Sequence, residues 1–152
     1  MTIVEFIRAR LDEDETAARA ATPGPWEAVI HRASPEQMRR WRAGAALLGG
    51  AVSDVVRVEV LPAIELEGNG DGGVGSVEDG VHIARWDPER GLREVAAKRA
   101  ILAEHENGFP GLDYCTSCRY GHEVAPWPCP TVRALAAPWS DHPDYNPQWS
   151  PQ

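Results

Sequence analysis

Residues 115–135 read CTSCRYGHEVAPWPCPTVRAL and hold all three cysteines of the chain, with a histidine among them. Cys115 and Cys118 form a C-x-x-C, the spacing at which two thiolates on one tight turn can grip the same metal ion. Cys129 stands before Pro130 and an apolar run, Thr131 to Ala137, that reads as a short helix. Pro130 suits the first helical position, where its missing N–H costs nothing. A thiolate just before it is favoured by the helix dipole and by unpaired backbone N–H groups. Two thiolates on a knuckle and a third at a helix start is a recurrent way of holding tetrahedral zinc.

Such a site needs a fourth ligand. His105 lies ten residues before the knuckle and His122 four residues after it. A helix expected over 88–106 turns about 100° per residue, which puts His105 about 60° from Leu102 and about 40° from Ile101. That places it on the apolar face, and we take His105 ahead of His122, which sits in the polar turn Arg119–Glu123. His82, His142 or a water molecule are the remaining candidates. The competing readings are three reduced thiols without metal, or a redox pair. For the latter the C-x-x-C lacks the strand-to-helix setting of a thioredoxin motif.

Outward from this stretch, the chain has 152 residues, enough for a modest core with 43% hydrophobic residues. Its net charge is −8, from 15 basic and 23 acidic residues, which disfavours a nucleic-acid surface and suits a basic protein partner. Lys98 is the only lysine. With abundant Ala, Gly and Pro, that bias points to a GC-rich genome. An odd cysteine count with metal-ligand spacing fits a reducing cytoplasm better than a disulfide scaffold. The N-terminus is charged too early for a signal peptide, and no apolar run reaches the ~20 residues of a membrane helix. The expectation is a soluble cytoplasmic protein with no membrane and no nucleic-acid partner. Oligomeric state leaves no signal.

Thr2 and Glu5 form a capping box, and Ile3, Phe6, Ile7 and Leu11 recur at helical spacing, so a helix is expected over 3–20. The run Asp12-Glu13-Asp14-Glu15 reads as a solvated helix face, since consecutive residues point in different directions. Pro23-Gly24-Pro25 ends the helix, and Trp26–Ile30 reads as a strand. Ser34 and Pro35 open a second helix to about Leu48. There Arg39, Arg40 and Arg42 flank Trp41, a basic-aromatic pattern that we read as packing in so acidic a chain. Residues 54–67 are β-rich, broken at Pro62.

The string Gly68-Asn69-Gly70-Asp71-Gly72-Gly73 matches G-x-G-x-x-G, but we expect no helix after it and reject a dinucleotide site in favour of a hairpin loop. Val81–Trp86 is a third strand or the approach to the next helix, and we place it in the sheet. Asp87 and Pro88 open the 88–106 helix, with Leu92, Val95, Ala96, Ile101 and Leu102 as its apolar side. Gly91 weakens that helix by about 1 kcal/mol relative to Ala. The fold class is therefore α+β. Long helices pack on a small antiparallel sheet in one domain over 1–138, with a zinc lobe over 105–138. Residues 139–152 form an irregular tail pinned by Trp139, Tyr145 and Trp149.

Two stretches carry a resemblance. His82 to Leu102 (HIARWDPERGLREVAAKRAIL) resembles the signature segment of an uncharacterised family of small actinobacterial and actinobacteriophage proteins. Trp127 to Ala136 (WPCPTVRALA), with Asp141-His142-Pro143-Asp144-Tyr145, is similar to that family's C-terminal segment, as is the opening helix with its acidic run and Pro-Gly-Pro-Trp. The family usually has an aliphatic residue where Gly91 stands, and its central region is commonly shorter than residues 31–80. The 34–50 helix would then be an insertion. The resemblance implies origin and architecture but no activity.

Two function classes follow. One is a non-enzymatic, zinc-stabilised accessory or interaction protein, phage-borne and directed at a host protein, with a closed four-ligand site. The other is a metal-dependent hydrolase with three protein ligands, a water and Glu104, Glu106 or Glu123 as base, to which His82, Asp87 and His142 could contribute. We favour the first, because no H-E-x-x-H, deaminase or G-x-S-x-G pattern occurs.

Overall fold

A computed structural model describes residues 1–48, 55–61, 76–108, 113–120 and 123–151. In chain order the elements are α1 (Ile3–Ala20), β1 (Glu27–Arg32), α2 (Pro35–Leu48), β2 (Val55–Leu61), α3 (Val77–Arg85), α4 (Pro88–Glu104), β3 (Tyr114–Tyr120), β4 (Glu123–Pro126) and α5 (Pro130–Ala136). Two 3-10 turns, Ala137–Trp139 and Pro147–Trp149, follow. The strands pair β1 with β2 and β3 with β4, both antiparallel, so the fold is α+β. The chain forms two compact units, Met1–Ala20 with Gly91–Gln152, and Ala21–Arg90.

The first unit is built on α1. Thr2 and Glu5 make the reciprocal capping box, Glu5 N–H to Thr2 Oγ1 at 3.2 Å and Thr2 N–H to Glu5 Oε2 at 2.7 Å. Ile3, Phe6, Ile7 and Leu11 are buried on one face. They join Val95 and Leu102 of α4, Val132 and Ala136 of α5, and Cys115, Ala125, Cys129 and Trp149 in one core. On α4, Ala96 and Ile101 face solvent instead of the expected core. The C-terminal residues are held as their aromatic content suggested. Phe6 meets Trp149 at 5.3 Å and Tyr145 at 5.8 Å between ring centroids, and Lys98 lies over Trp139.

The acidic run of α1 is more than a solvated face. Arg99 of α4 donates to Asp12 Oδ1 at 2.5 Å and also to Glu15, which Arg19 reaches as well. Arg10 pairs with Glu13 at 2.6 Å. The Arg99 guanidinium, then Arg19, hold the Glu15 carboxyl below the usual carboxylate range against the opposing effect of desolvation.

In the second unit β1 and β2 pair from Glu27 opposite Leu61 to Ile30 opposite Val58, with an irregularity at His31/Arg32. The helix packed on this sheet is α3, made from residues expected as a strand. The correction has a local cause. Ser76 Oγ accepts Asp79 N–H at 3.0 Å and caps the helix, Glu78 and Asp79 fill its first turn, and Gly80 is buried in it. β-prone Val81 and Ile83 thus follow a strong start signal that overrides their propensity.

A helix therefore does follow the glycine string, which itself lies outside the described residues, as do Pro62 and residues 62–67 of the expected strand. The dinucleotide reading still fails, because the preceding strand is antiparallel to its neighbour and the first turn of α3 is acidic. Asp87 begins α4 as expected, taking Arg90 N–H at 2.7 Å, and also takes Trp26 N–H at 3.3 Å. A Cβ on Gly24 would come within 2.6 Å of Asp87 Oδ2, so that turn requires glycine.

Two predictions follow from these contacts. A Cβ on Gly91 would meet only Ala18 Cβ at 3.7 Å, ordinary contact. Gly91→Ala should therefore stabilise the chain by about 1 kcal/mol in chemical denaturation. Arg99→Met should lower the melting temperature near neutral pH. Because Glu15 has a lowered native pKa, its contribution is present above the ordinary carboxylate pKa and disappears as pH falls through the lowered one. The gap between wild type and Arg99→Met should close in that acid window.

Candidate metal centre

The C-x-x-C is a wide bulge in the β3–β4 hairpin, which the sequence reading treated as loop. Tyr114 faces Pro126 and Arg119 faces Val124, so Cys115–Cys118 are set against Ala125 alone. The backbone N–H groups of Ser117 and Cys118 turn toward the Cys115 sulfur. The hairpin is tied to the chain leaving α4. Gly108 N–H donates to Tyr114 O at 2.8 Å, Thr116 N–H to Glu106 O at 3.1 Å, and Ser117 Oγ to Glu104 O. Asn107 and Cys115 form a further bridge. A Cβ on Gly108 would sit 2.5 Å from the Tyr114 ring, so only glycine allows this approach.

His105 is the residue at which α4 stops, its N–H still bonded to Ile101 O at 3.2 Å. It is half-buried, and its side chain leaves the helix end for the bulge. Nδ1 lies 3.3 Å from Cys118 Sγ, 3.5 Å from Cys115 Sγ and 3.7 Å from Cys129 Sγ. Cys129 precedes α5 as its cap residue in extended conformation, with Pro130 next and no side-chain bond to the helix's own N–H groups. Thr131 Oγ1, two residues on, lies 3.9 Å from Cys118 Sγ.

The structure thus brings His105, Cys115, Cys118 and Cys129 together, their donor atoms all within 4.8 Å of one another. His122 lies outside the described residues. His82 is on α3 beside Trp86, and His142 is held between Arg10, Phe6 and the Asp144 N–H. Neither joins the group, and no carboxylate does among the described residues. Glu104, Glu106 and Glu123 are exposed. The acidic run of α1 forms no such group either.

These distances can be set against coordination geometry. With Zn–S near ~2.3 Å and Zn–N near ~2.0–2.1 Å, a tetrahedron has N···S edges of about 3.6 Å. The three observed separations straddle that value. Hydrogen bonding alone cannot produce them, because Nδ1 has either one proton or one lone pair in the ring plane, not three of either. The residues fit a tetrahedral, thiolate-rich ion.

The sulfurs are electrostatically unequal. Burial pushes the Cys115 thiol up, but the Ser117 and Cys118 N–H groups, then His105 and Cys129, outweigh it and bring it down to about 7. At Cys118 burial leads and the neighbouring Cys129 and Cys115 add to it, raising the thiol to about 11 against Thr131. One negative charge is thus well placed among the sulfurs and a second is resisted, unless a cation sits between them. Sequence reasoning missed Thr131, the Ser117 amide and the Glu104 and Glu106 carbonyls. Only Thr131 left a trace, as a hydroxyl two residues after a cysteine cap.

The chain belongs to the Family of unknown function (DUF6221), whose model matches residues 1–151. No curated protein and no solved structure matches it.

Removal of one donor tests the cluster. His105→Ala and Cys118→Ser should each lower metal content and melting temperature, and should speed proteolysis of the hairpin. His122→Ala should be nearly silent. A silent His105→Ala with a damaging His122→Ala would move the fourth donor off the end of α4.

Proposed function

We propose that this member of a family of unknown function is a non-enzymatic, zinc-stabilised accessory or interaction protein acting on another protein. The observation that carries the reading is the single imidazole nitrogen with three sulfurs at tetrahedral-edge distances. His105, Cys115, Cys118 and Cys129 would hold one Zn²⁺ in a closed sphere, its role to fix structure. A catalytic zinc keeps a place for water and a base beside it. Here a fourth protein donor takes that place, which argues against the hydrolase.

The gain from such a metal is local. Cys115 and Cys129 are fully buried in the core with Val132 and Ala136, so an ion between them would join the end of α4, the hairpin and α5. We further infer a reducing, cytoplasmic setting, supported by three free cysteines with no disulfide. No helix among the described residues is long and apolar enough to cross a membrane. An actinobacterial or actinobacteriophage origin is supported by arginine standing almost everywhere for lysine.

Elemental analysis after reconstitution with zinc and desalting should find about one zinc per chain, and chelation should lower the melting temperature, since metal-binding energy is folding energy. Less than about 0.2 zinc per chain would remove the basis of the proposal.

A further inference from the structure

The three sulfurs of the cluster differ in access. Cys115 and Cys129 are fully buried, whereas Cys118 is partly exposed. They differ in hydrogen bonding as well. The Ser117 and Cys118 N–H groups turn toward the Cys115 sulfur. Among the described residues, Cys118 is reached from outside the cluster by the Thr131 hydroxyl at 3.9 Å, a long contact even for sulfur. The nearby Ser117 hydroxyl is committed to Glu104 O. A metal ligand is deprotonated, so with zinc bound all three sulfurs are thiolates, and the acidity of the free thiols no longer ranks them. Reactivity then follows access to solvent and the hydrogen bonds that draw charge from sulfur. On both counts Cys118 is the least protected of the three.

A second cysteine stands ready beside it. All four donor atoms lie within 4.8 Å of one another, so Cys118 has both other sulfurs in reach. Cys115 is the better placed of the two. It sits on the same bulge, two residues away in sequence, and closing so short a loop costs little entropy even after the cluster loosens. Cys129 precedes α5 and meets Cys118 only while that helix stays packed. An exposed thiolate next to a resolving cysteine is the arrangement on which oxidation acts selectively.

We infer that Cys118 is a site of oxidation by hydrogen peroxide, through which the metal centre is opened; this rests on the zinc reading above. The Cys118 thiolate attacks one peroxide oxygen, the O–O bond breaks, and hydroxide leaves behind a sulfenic acid. The Cys115 thiolate then attacks that sulfur, forming the S–S bond and expelling a second hydroxide. Two protons from solvent turn both hydroxides into water. Two thiolates have lost two electrons, and the peroxide has gained them. Disulfide sulfurs are poor zinc donors, so His105 and Cys129 alone are left to hold the ion, half of a tetrahedral set. The lost metal-binding energy is lost folding energy, and the hairpin gives up its link through the metal to α4 and α5. A thiol reductant reverses the reaction by exchange. The C-x-x-C acts here on its own metal and not, as in thioredoxin, on a substrate disulfide.

The test uses the full chain, loaded with zinc, desalted and measured for metal before hydrogen peroxide is added with or without dimedone, a trap for sulfenic acids. With dimedone, tandem mass spectrometry should find the adduct on Cys118 at least about tenfold more often than on Cys115 or Cys129. Without it, zinc should reach a chromogenic chelator as about two thiols per chain disappear, with a Cys115–Cys118 disulfide and a lower melting temperature. Dithiothreitol with zinc should restore the starting state. An adduct mainly on Cys115 or Cys129, a disulfide to Cys129, or zinc retained after the thiols are oxidised would each overturn the inference. So would thiols left intact by an excess of about a hundredfold peroxide. A chain without zinc at the first measurement removes the zinc reading and this inference with it. A loaded chain that resists peroxide overturns this inference alone.

Discussion

Three sulfurs around one ring nitrogen is an arrangement that protein groups do not hold by themselves. Two of the sulfurs are fully buried, Cys115 and Cys129, and ionising more than one of the three in so small a space is costly without a counter-charge. The hairpin, the end of α4 and the start of α5 meet at those atoms. A cation at their centre would relieve that electrostatic conflict and add to the backbone hydrogen bonds that already tie the hairpin to the chain leaving α4.

The surrounding structure suits that role. The Ser117 and Cys118 amides face Cys115, Thr131 lies near Cys118, and backbone bonds from Gly108, Thr116 and Ser117 fix the path between His105 and the bulge. Partners of this kind orient metal ligands and tune them. Behind the cluster, Phe6, Ile7 and Leu11 of α1 and Val132 of α5 form a core in which Cys115 and Cys129 are fully buried, while Cys118 is partly exposed.

Much of this was legible because the signals were local. Thr2 with Glu5, Ser34 with Pro35, and Asp87 with Pro88 each opened a helix where the residues said one would open. Cys129-Pro130 gave the cap of α5. His105 does meet the cysteines, but from just past the end of α4, and the helical-phase argument holds only on its Leu102 side, because Ile101 is exposed. The failures lay where a tertiary or capping effect outweighed composition. Val81–Trp86 looked like a strand until the Ser76 cap made it helical. The β3–β4 pairing was hidden because its central residues bulge to serve the cysteines, which breaks the alternation that marks a strand. The ties of Asp12 and Glu15 to Arg99 depend on contact between α1 and α4, more than eighty residues apart, and no local pattern encodes it.

Zinc K-edge absorption spectroscopy of the metal-loaded chain tests the centre most directly, because it counts donors by type. Three sulfurs at about 2.3 Å and one nitrogen at about 2.0–2.1 Å are expected, with no oxygen shell. Two sulfurs or fewer, or an added water oxygen, would contradict a closed site made by His105, Cys115, Cys118 and Cys129.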